Sequence, residues 1–180
     1  MHTTTNTTPL TPAAAAATID ERTLRRTIGS RSFCTLATTS PHGTPHVAGV
    51  LYAVADGVLY VNTLRTSRKA RNVAAVTAAT GSPAPVSVCI PVRRLPVGPP
   101  SSIQFRGAAR VLDVDDPMLL PLVGTKPFRP ITSHGELELP GACFLRIVPA
   151  TRFVTYGLGM PLRRLLRDPL HAGGAVEVGR

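Results

Sequence analysis

The sequence predicts a mainly β (α+β) domain, in which about six or seven antiparallel strands form a closed or partly closed barrel with short flanking helices. Two observations lead to this class. Short apolar stretches of alternating pattern recur along the chain and are separated by turn residues. The first connections between them are too short for the crossover that parallel strands require, so neighbouring strands are expected to run antiparallel.

The N-terminal part is predicted to contain a helix followed by an antiparallel meander. Thr18-Ile19-Asp20-Glu21 has the capping-box pattern, which predicts a helix that starts there and stops at Gly29. Asp56-Gly57 is a strong signal for a tight hairpin turn. The alternating β-forming residues around these signals predict three strands: Ser32–Thr38, Pro45–Val54 and Val58–Thr63.

The remainder is predicted to hold a second helix and further strands. The helix is capped by Thr66 or Ser67 and ended by Gly81. Asp116-Pro117 is expected to begin a short helix, with proline at its first position. The predicted strands are Val86–Ile90, Ser101–Leu112, Ala142–Val148 and Phe153–Tyr156. The segments without a predicted element are a Pro-rich loop over Arg93–Pro100 and an irregular stretch over Gly124–Pro140.

Length and composition favour one cytoplasmic domain. The chain has 180 residues, of which 43% are hydrophobic, and no apolar run approaches the roughly 18–20 residues that span a bilayer. We expect a disordered leader over 1–18, a barrel domain over 19–160 and a basic, Gly-rich tail over 161–180. The leader lacks the basic start of a secretory signal. Cys34, Cys89 and Cys143 are widely spaced, which predicts buried free thiols and no metal site.

The chain is strongly basic, with a formal net charge of +10. This excess could attract phosphates, nucleic acid or an acidic cofactor. It is equally consistent with the amino-acid bias of a GC-rich genome. Three tyrosines, five phenylalanines and no tryptophan are few stacking platforms for single-stranded nucleic acid, so we do not predict a nucleic-acid partner.

The segment Asn62–Asn72 carries the clearest chemical signal. It joins a predicted strand end to a predicted helix start, where hydroxyls, unpaired backbone N–H groups and cations converge. A helix N-terminus suits a phosphate, and Arg68 and Lys69 add charge-assisted hydrogen bonds. The alternative is a solvated helix start with surface arginines.

The stretch FCTLATTSPHGTPHVAGVLYAVADGVLYVNTLRTSRKARNV resembles the opening of the pyridoxamine 5′-phosphate oxidase-like split barrels, a superfamily with FMN enzymes and reductases that use the deazaflavin coenzyme F-420. FRGAARVLD resembles the long central strand of that family, and FLRIVPATRFVTYGLGM resembles its closing strands. The likeness covers about Phe33–Met160. It implies an antiparallel split β-barrel of the FMN-binding type and a homodimer with cofactors in clefts between subunits.

The resemblance also implies roles for individual residues. The second strand would lie against the cofactor ring, and the third strand would end in a polar pair that faces the cofactor. The Ser-Arg-Lys group would hold the phosphate. The cofactor-binding residues implied in this way are His46, Val47, Ala48, Val50, Asn62, Thr63, Ser67, Arg68 and Lys69.

We therefore predict an oxidoreductase that transfers a hydride between FMN or coenzyme F-420 and a small organic substrate. Coenzyme F-420 is favoured because its acidic tail suits an Arg-rich groove. The alternative is a non-catalytic binder of flavin, F-420 or haem on the same barrel. No catalytic side chain is predicted, because the cofactor itself carries the hydride. His134-Gly135-Glu136 could supply an acid or base, or lie in an ordinary surface loop.

Overall fold

The protein is described by a computed structural model, which covers residues 18–93 and 101–179. The predicted leader up to residue 17 and residues 94–100 of the Pro-rich loop lie outside the described residues. The helices are α1 (Glu21–Gly29), α2 (Arg68–Thr80), α3 (Leu120–Val123) and α4 (Leu162–Arg167). The strands are β1 (Phe33–Thr39), β2 (Pro45–Leu51), β3 (Ala53–Ala55), β4 (Val58–Leu64), β5 (Ala84–Val92), β6 (Ser101–Asp113), β7 (Ala142–Tyr156) and β8 (Gly173–Glu177).

All strand pairs are antiparallel, and the sheet order is β2-β1-β5-β6-β7-β4-β3, with β8 paired to β7. The end strands β2 and β3 are separated in sequence by Tyr52 alone. The sheet must therefore curl until its two edges meet at Tyr52, which makes it a barrel. This confirms the predicted fold class, although the predicted strand Pro45–Val54 is divided between the two edges.

Side chains of alternating strand residues point into the barrel, on what we call the inner face, and form the main core. Leu24 and Ile28 of α1 and Val73 of α2 add to this core. The N-cap of α1 is Asp20, whose carboxylate accepts a hydrogen bond from the Thr23 N–H at 2.7 Å. The prediction of a capping box that begins at Thr18 is therefore wrong, because the helix begins two residues later than that pattern requires.

Strand β7 runs without interruption through the residues between the two strands predicted there. Its pairing with β6 is irregular between Phe105 and Gly107, which is typical of a β-bulge. A Cβ at Gly107 would lie 2.9 Å from the Val148 carbonyl oxygen, so the two backbones approach closely at this point. The predicted break between Val148 and Phe153 is therefore wrong, because the strand continues through the bulge.

The segment between β6 and β7 covers the other face of the sheet, which we call the outer face. Asp116-Pro117 forms a turn, in which the Asp116 carboxylate accepts from the Met118 N–H at 2.9 Å, and the helix begins only at Leu120. Two short 3-10 helices, Lys126–Ile131 and Glu136–Glu138, lie in the stretch predicted to be irregular. The buried ring of Phe128 packs on Tyr60 with centroids 5.2 Å apart, which holds this segment against β4.

The segment predicted as a tail continues the sheet. Strand β8 pairs with β7 from Arg152 to Tyr156, and Leu165 of α4 is buried. Within the described residues, no helix is long and apolar enough to cross a membrane.

Candidate functional site

The junction between β4 and α2 has the predicted form. Ser67 is the N-cap of α2, and its hydroxyl accepts a hydrogen bond from the Ala70 N–H at 3.3 Å. The Thr63 hydroxyl donates to the Ser67 hydroxyl at 3.1 Å, which ties the end of the strand to the start of the helix. No acidic residue lies in the first turn of α2. The positive end of the helix dipole is therefore not neutralised by its own first turn.

Lys69 adds a cation to this helix start. Its side chain is half-buried, and burial lowers the pKa of its ammonium group. It forms no ion pair with any acidic side chain in the described part of the chain. Burial raises the pKa of the nearby Cys143 thiol, so this neighbour is uncharged at neutral pH. The positive charge of Lys69 is thus left without a counterion among the described residues.

A cleft of about 250 Å³ opens beside Lys69. Strands β2 and β4, helix α2 and the segment between β6 and β7 each contribute to its walls. Its lining residues are Gly49, Val50, Leu51, Asn62, Lys69, Pro130, Ile131 and Glu136. The cleft therefore combines apolar walls with an amide, a cation and a carboxylate.

Asn62 faces the cleft because side chains alternate along β4. Thr63 follows the inner face with Val61, whereas Asn62 follows the outer face with Tyr60. The Asn62 amide nitrogen Nδ2 is buried and has no hydrogen-bond partner in the described part of the chain. A buried donor left unpaired costs about 1–3 kcal/mol. A ligand oxygen in the cleft would remove this cost.

The predicted residues of β2 do not share one surface. Val50 is buried in the core and also borders the cleft, and His46 and Ala48 point to the same inner side. Val47 points outward and is 62% exposed. The ring nitrogen Nδ1 of His46 is buried with no hydrogen-bond partner among residues 18–93 and 101–179, but His46 is not among the cleft residues.

Of the residues implied by the resemblance, the cleft brings together Val50, Asn62 and Lys69. Thr63 and Ser67 are joined to each other by a hydrogen bond, and neither of them lines the cleft. Arg68 is exposed at the first position of α2 and does not line the cleft. The roles of all nine residues in cofactor binding stay predictions.

Glu136 also lines the cleft, on the segment between β6 and β7. Its carboxylate accepts a hydrogen bond from the His134 N–H at 2.7 Å and lies 3.2 Å from Nδ1 of the His134 ring. Backbone N–H groups of Glu136 itself and of His134 hold the pKa of this carboxyl below its usual value. The sequence left this motif open between an acid or base and an ordinary surface loop, and the structure places its glutamate in the cleft.

A larger depression of about 640 Å³ lies across the outer face of β1, β2, β5, β6 and β7. Its lining includes Val47, Cys89, Arg106 and Arg152, but no residue of α2. Cys89 is half-exposed, so the prediction that all three thiols are buried is wrong for this one. Of these two depressions, the smaller cleft is the one that reaches Lys69 and the start of α2.

Comparison with known proteins identifies relatives of the chain. The family model described as pyridoxamine 5′-phosphate oxidase matches residues 20–128. No functionally curated protein sequence matches the chain significantly. A conserved hypothetical protein of Mycobacterium tuberculosis is 25% identical, with 84% of this chain and 94% of that chain covered and a TM-score of 0.60.

Two further solved structures have the same fold at lower identity. The haem storage protein HutZ of Vibrio cholerae is 18% identical, covers 74% of this chain and 92% of its own, and has a TM-score of 0.58. An FAD-binding protein of Mesorhizobium loti is also 18% identical, covers 73% and 88%, and has a TM-score of 0.56. The fold thus occurs in a flavin-binding protein and in a haem storage protein.

Proposed function

Because the chain belongs to the pyridoxamine 5′-phosphate oxidase family, we propose that it is a cytoplasmic oxidoreductase that binds FMN or coenzyme F-420 in the cleft between β2, β4 and α2. The observation that carries this proposal is the pairing of two unsatisfied groups in one cleft. Lys69 has no counterion and Asn62 Nδ2 has no acceptor among the described residues. A ligand with a phosphate and ring carbonyl oxygens would give Lys69 a counterion and Asn62 Nδ2 an acceptor.

The helical end of the cleft fits the phosphate of either cofactor. The first N–H groups of α2 have no partner within the helix, and Ser67 and Lys69 add a hydroxyl and a charged donor. Arg68 and Arg71 are exposed beside them on α2. These arginines also support the preference for coenzyme F-420, because its acidic tail would extend over them.

The remaining walls fit the ring. Leu51, Pro130 and Ile131 present apolar surface, and Asn62 presents an amide donor to a ring carbonyl. The bound cofactor would supply or accept the hydride. The residues of this chain would orient the ring, exclude water from one of its faces and hold the phosphate.

We also propose that a second copy of the chain covers the outer face of the sheet. Phe33, Val47, Leu51 and Val154 all lie exposed there, and such apolar side chains are typical of a surface that a partner covers. Leu51 borders the cleft as well, so a partner on this face would also enclose a cofactor. Measurement of the molar mass in solution tests this: a dimer is expected, and a monomer would contradict the proposal.

Turnover tests the proposed activity. The protein with reduced FMN or with reduced coenzyme F-420 is incubated without oxygen with a panel of small electron acceptors, and cofactor oxidation is followed spectroscopically. Transfer of a hydride that depends on the protein supports the oxidoreductase. Tight binding without turnover across the panel, or a preference for haem, supports the non-catalytic alternative, for which the fold of the haem storage protein is a precedent.

A further inference from the structure

Two opposite charges line the cleft without contacting each other. Lys69 lies in the first turn of α2, and Glu136 begins the 3-10 helix Glu136–Glu138. The only ion pair of Glu136 within the described residues is with its neighbour His134. Neither charge is therefore neutralised by the other, and a ligand in the cleft can contact both.

The position of Glu136 is fixed by the fold. The segment that carries it is held on β4 by buried Phe128 and Ile131. The His134 N–H donates to its carboxylate, which orients the group and keeps it ionised at neutral pH. Glu136 is thus a held acceptor and not a freely rotating surface carboxylate.

The chemistry of an ionised carboxylate determines what the ligand must present there. A carboxylate accepts hydrogen bonds and donates none. Covering it with a ligand that offers no donor would remove water from the lone pairs that His134 leaves free, which is costly. Elsewhere in the cleft lining, the Lys69 ammonium group and Asn62 Nδ2 can only donate. The cleft therefore offers donors from Lys69 and Asn62 and an ionised acceptor from Glu136.

We propose that Glu136 is a specificity-determining residue that accepts a hydrogen bond from a ring N–H of the bound cofactor. The cleft then takes heterocyclic phosphates with an anion at one end and an N–H donor at the other. This inference rests on the proposed function and deepens it. The imide N–H of a flavin or deazaflavin is a donor of this kind.

The test compares FMN with N3-methyl-FMN, which lacks the imide N–H, by equilibrium titration of the full chain. The wild-type protein is expected to bind FMN about tenfold or more tightly than the methylated analogue, since a hydrogen bond to a charged group is lost. Glu136→Ala is expected to bring this ratio close to one. Glu138→Ala is the matched control, because Glu138 lies on the same 3-10 helix, is exposed and does not line the cleft.

The ratio of the affinities for FMN and N3-methyl-FMN does not change when a smaller fraction of the protein is folded. The comparison therefore remains valid for a destabilised variant. Glu136→Gln retains an acceptor oxygen without the charge and is expected to keep a reduced preference for FMN. If Glu136→Ala discriminates as strongly as the wild-type protein, the assignment is overturned while the proposed function stands. If the wild-type protein binds neither FMN, nor its analogue, nor coenzyme F-420, the proposed function is overturned as well.

Discussion

The hydroxyl of Thr63 donates a hydrogen bond to the hydroxyl of Ser67 at 3.1 Å. This contact joins the end of β4 to the N-cap residue of α2, so the end of the strand and the start of the helix are held as one unit. Ser67 in turn accepts from the Ala70 N–H and satisfies one of the free donors of the helix. The geometry of the proposed phosphate site therefore depends on a short chain of hydroxyl contacts.

Replacing the cap tests this dependence. Ser67→Ala removes the acceptor for Ala70 and is expected to lower the free energy of unfolding by about 1 kcal/mol. Chemical denaturation measures the change. Ser87→Ala on the exposed face of β5 serves as the control and is expected to change stability by less than about 0.5 kcal/mol. Equal stability of the two variants would contradict the capping role.

Asn62 offers a test in which stability and binding change in opposite directions. Asn62→Leu removes a buried unpaired N–H, so the protein without ligand is expected to be as stable as the wild type or more stable. The same change removes a donor to the ring, so the increase in melting temperature caused by FMN is expected to shrink. Thermal melting with and without FMN measures both. A marked loss of stability without ligand, together with an unchanged FMN effect, would argue against the assigned role.

Lys69 is expected to give cofactor binding a characteristic pH dependence. Its pKa lies below that of an ordinary lysine because of burial. Binding of an anion requires the protonated form, so affinity for FMN is expected to fall as the pH rises through this lowered pKa. Titrations from about pH 7 up to about pH 10.4, the pKa of an unperturbed lysine, measure the fall. Lys69→Arg remains charged throughout and is expected to show a flatter profile; identical profiles would show that another group titrates.

Tyr52 is expected to matter for closure of the barrel. Its buried hydroxyl donates to the Ile28 carbonyl oxygen at 2.7 Å, which ties the crossing point between β2 and β3 to α1. Tyr52→Phe is expected to lower the free energy of unfolding by about 1–2 kcal/mol, because the buried carbonyl loses its donor. Tyr156→Phe is the control, since the Tyr156 hydroxyl forms no hydrogen bond with the described residues. Denaturation curves that coincide for both variants would exclude this role for Tyr52.

Local signals in the sequence predicted most of the sheet. The Asp56-Gly57 turn joins β3 and β4 with positive φ at both residues, as a tight hairpin of this type requires. Helix α2 begins after Ser67 and ends at Gly81, as its cap residues indicate. These features depend on residues close in sequence, which explains why pattern alone identifies them.

The rest depends on contacts between distant residues. The face to which β2 turns His46, Ala48 and Val50 follows from its pairing with β1, and no local pattern determines it. The segment that brings Glu136 to the cleft consists of short 3-10 turns held by Phe128 and Ile131, which lack the periodicity of a long helix. Strand β8 is Gly-rich and pairs with β7 through its backbone, so its composition does not indicate a strand.

The central claim is that the cleft at the start of α2 binds a flavin or deazaflavin through Lys69. Equilibrium titration with FMN, coenzyme F-420 and haem, in the wild-type protein and in Lys69→Ala, tests it most directly. Lys126→Ala, an exposed lysine outside the cleft, is the control. We expect FMN or F-420 to bind the wild-type and control proteins, and binding to weaken at least about tenfold in Lys69→Ala, because a charged hydrogen bond is worth about 1.5–3 kcal/mol. Unchanged affinity in Lys69→Ala, or no binding of either cofactor to the wild-type protein, would contradict the account.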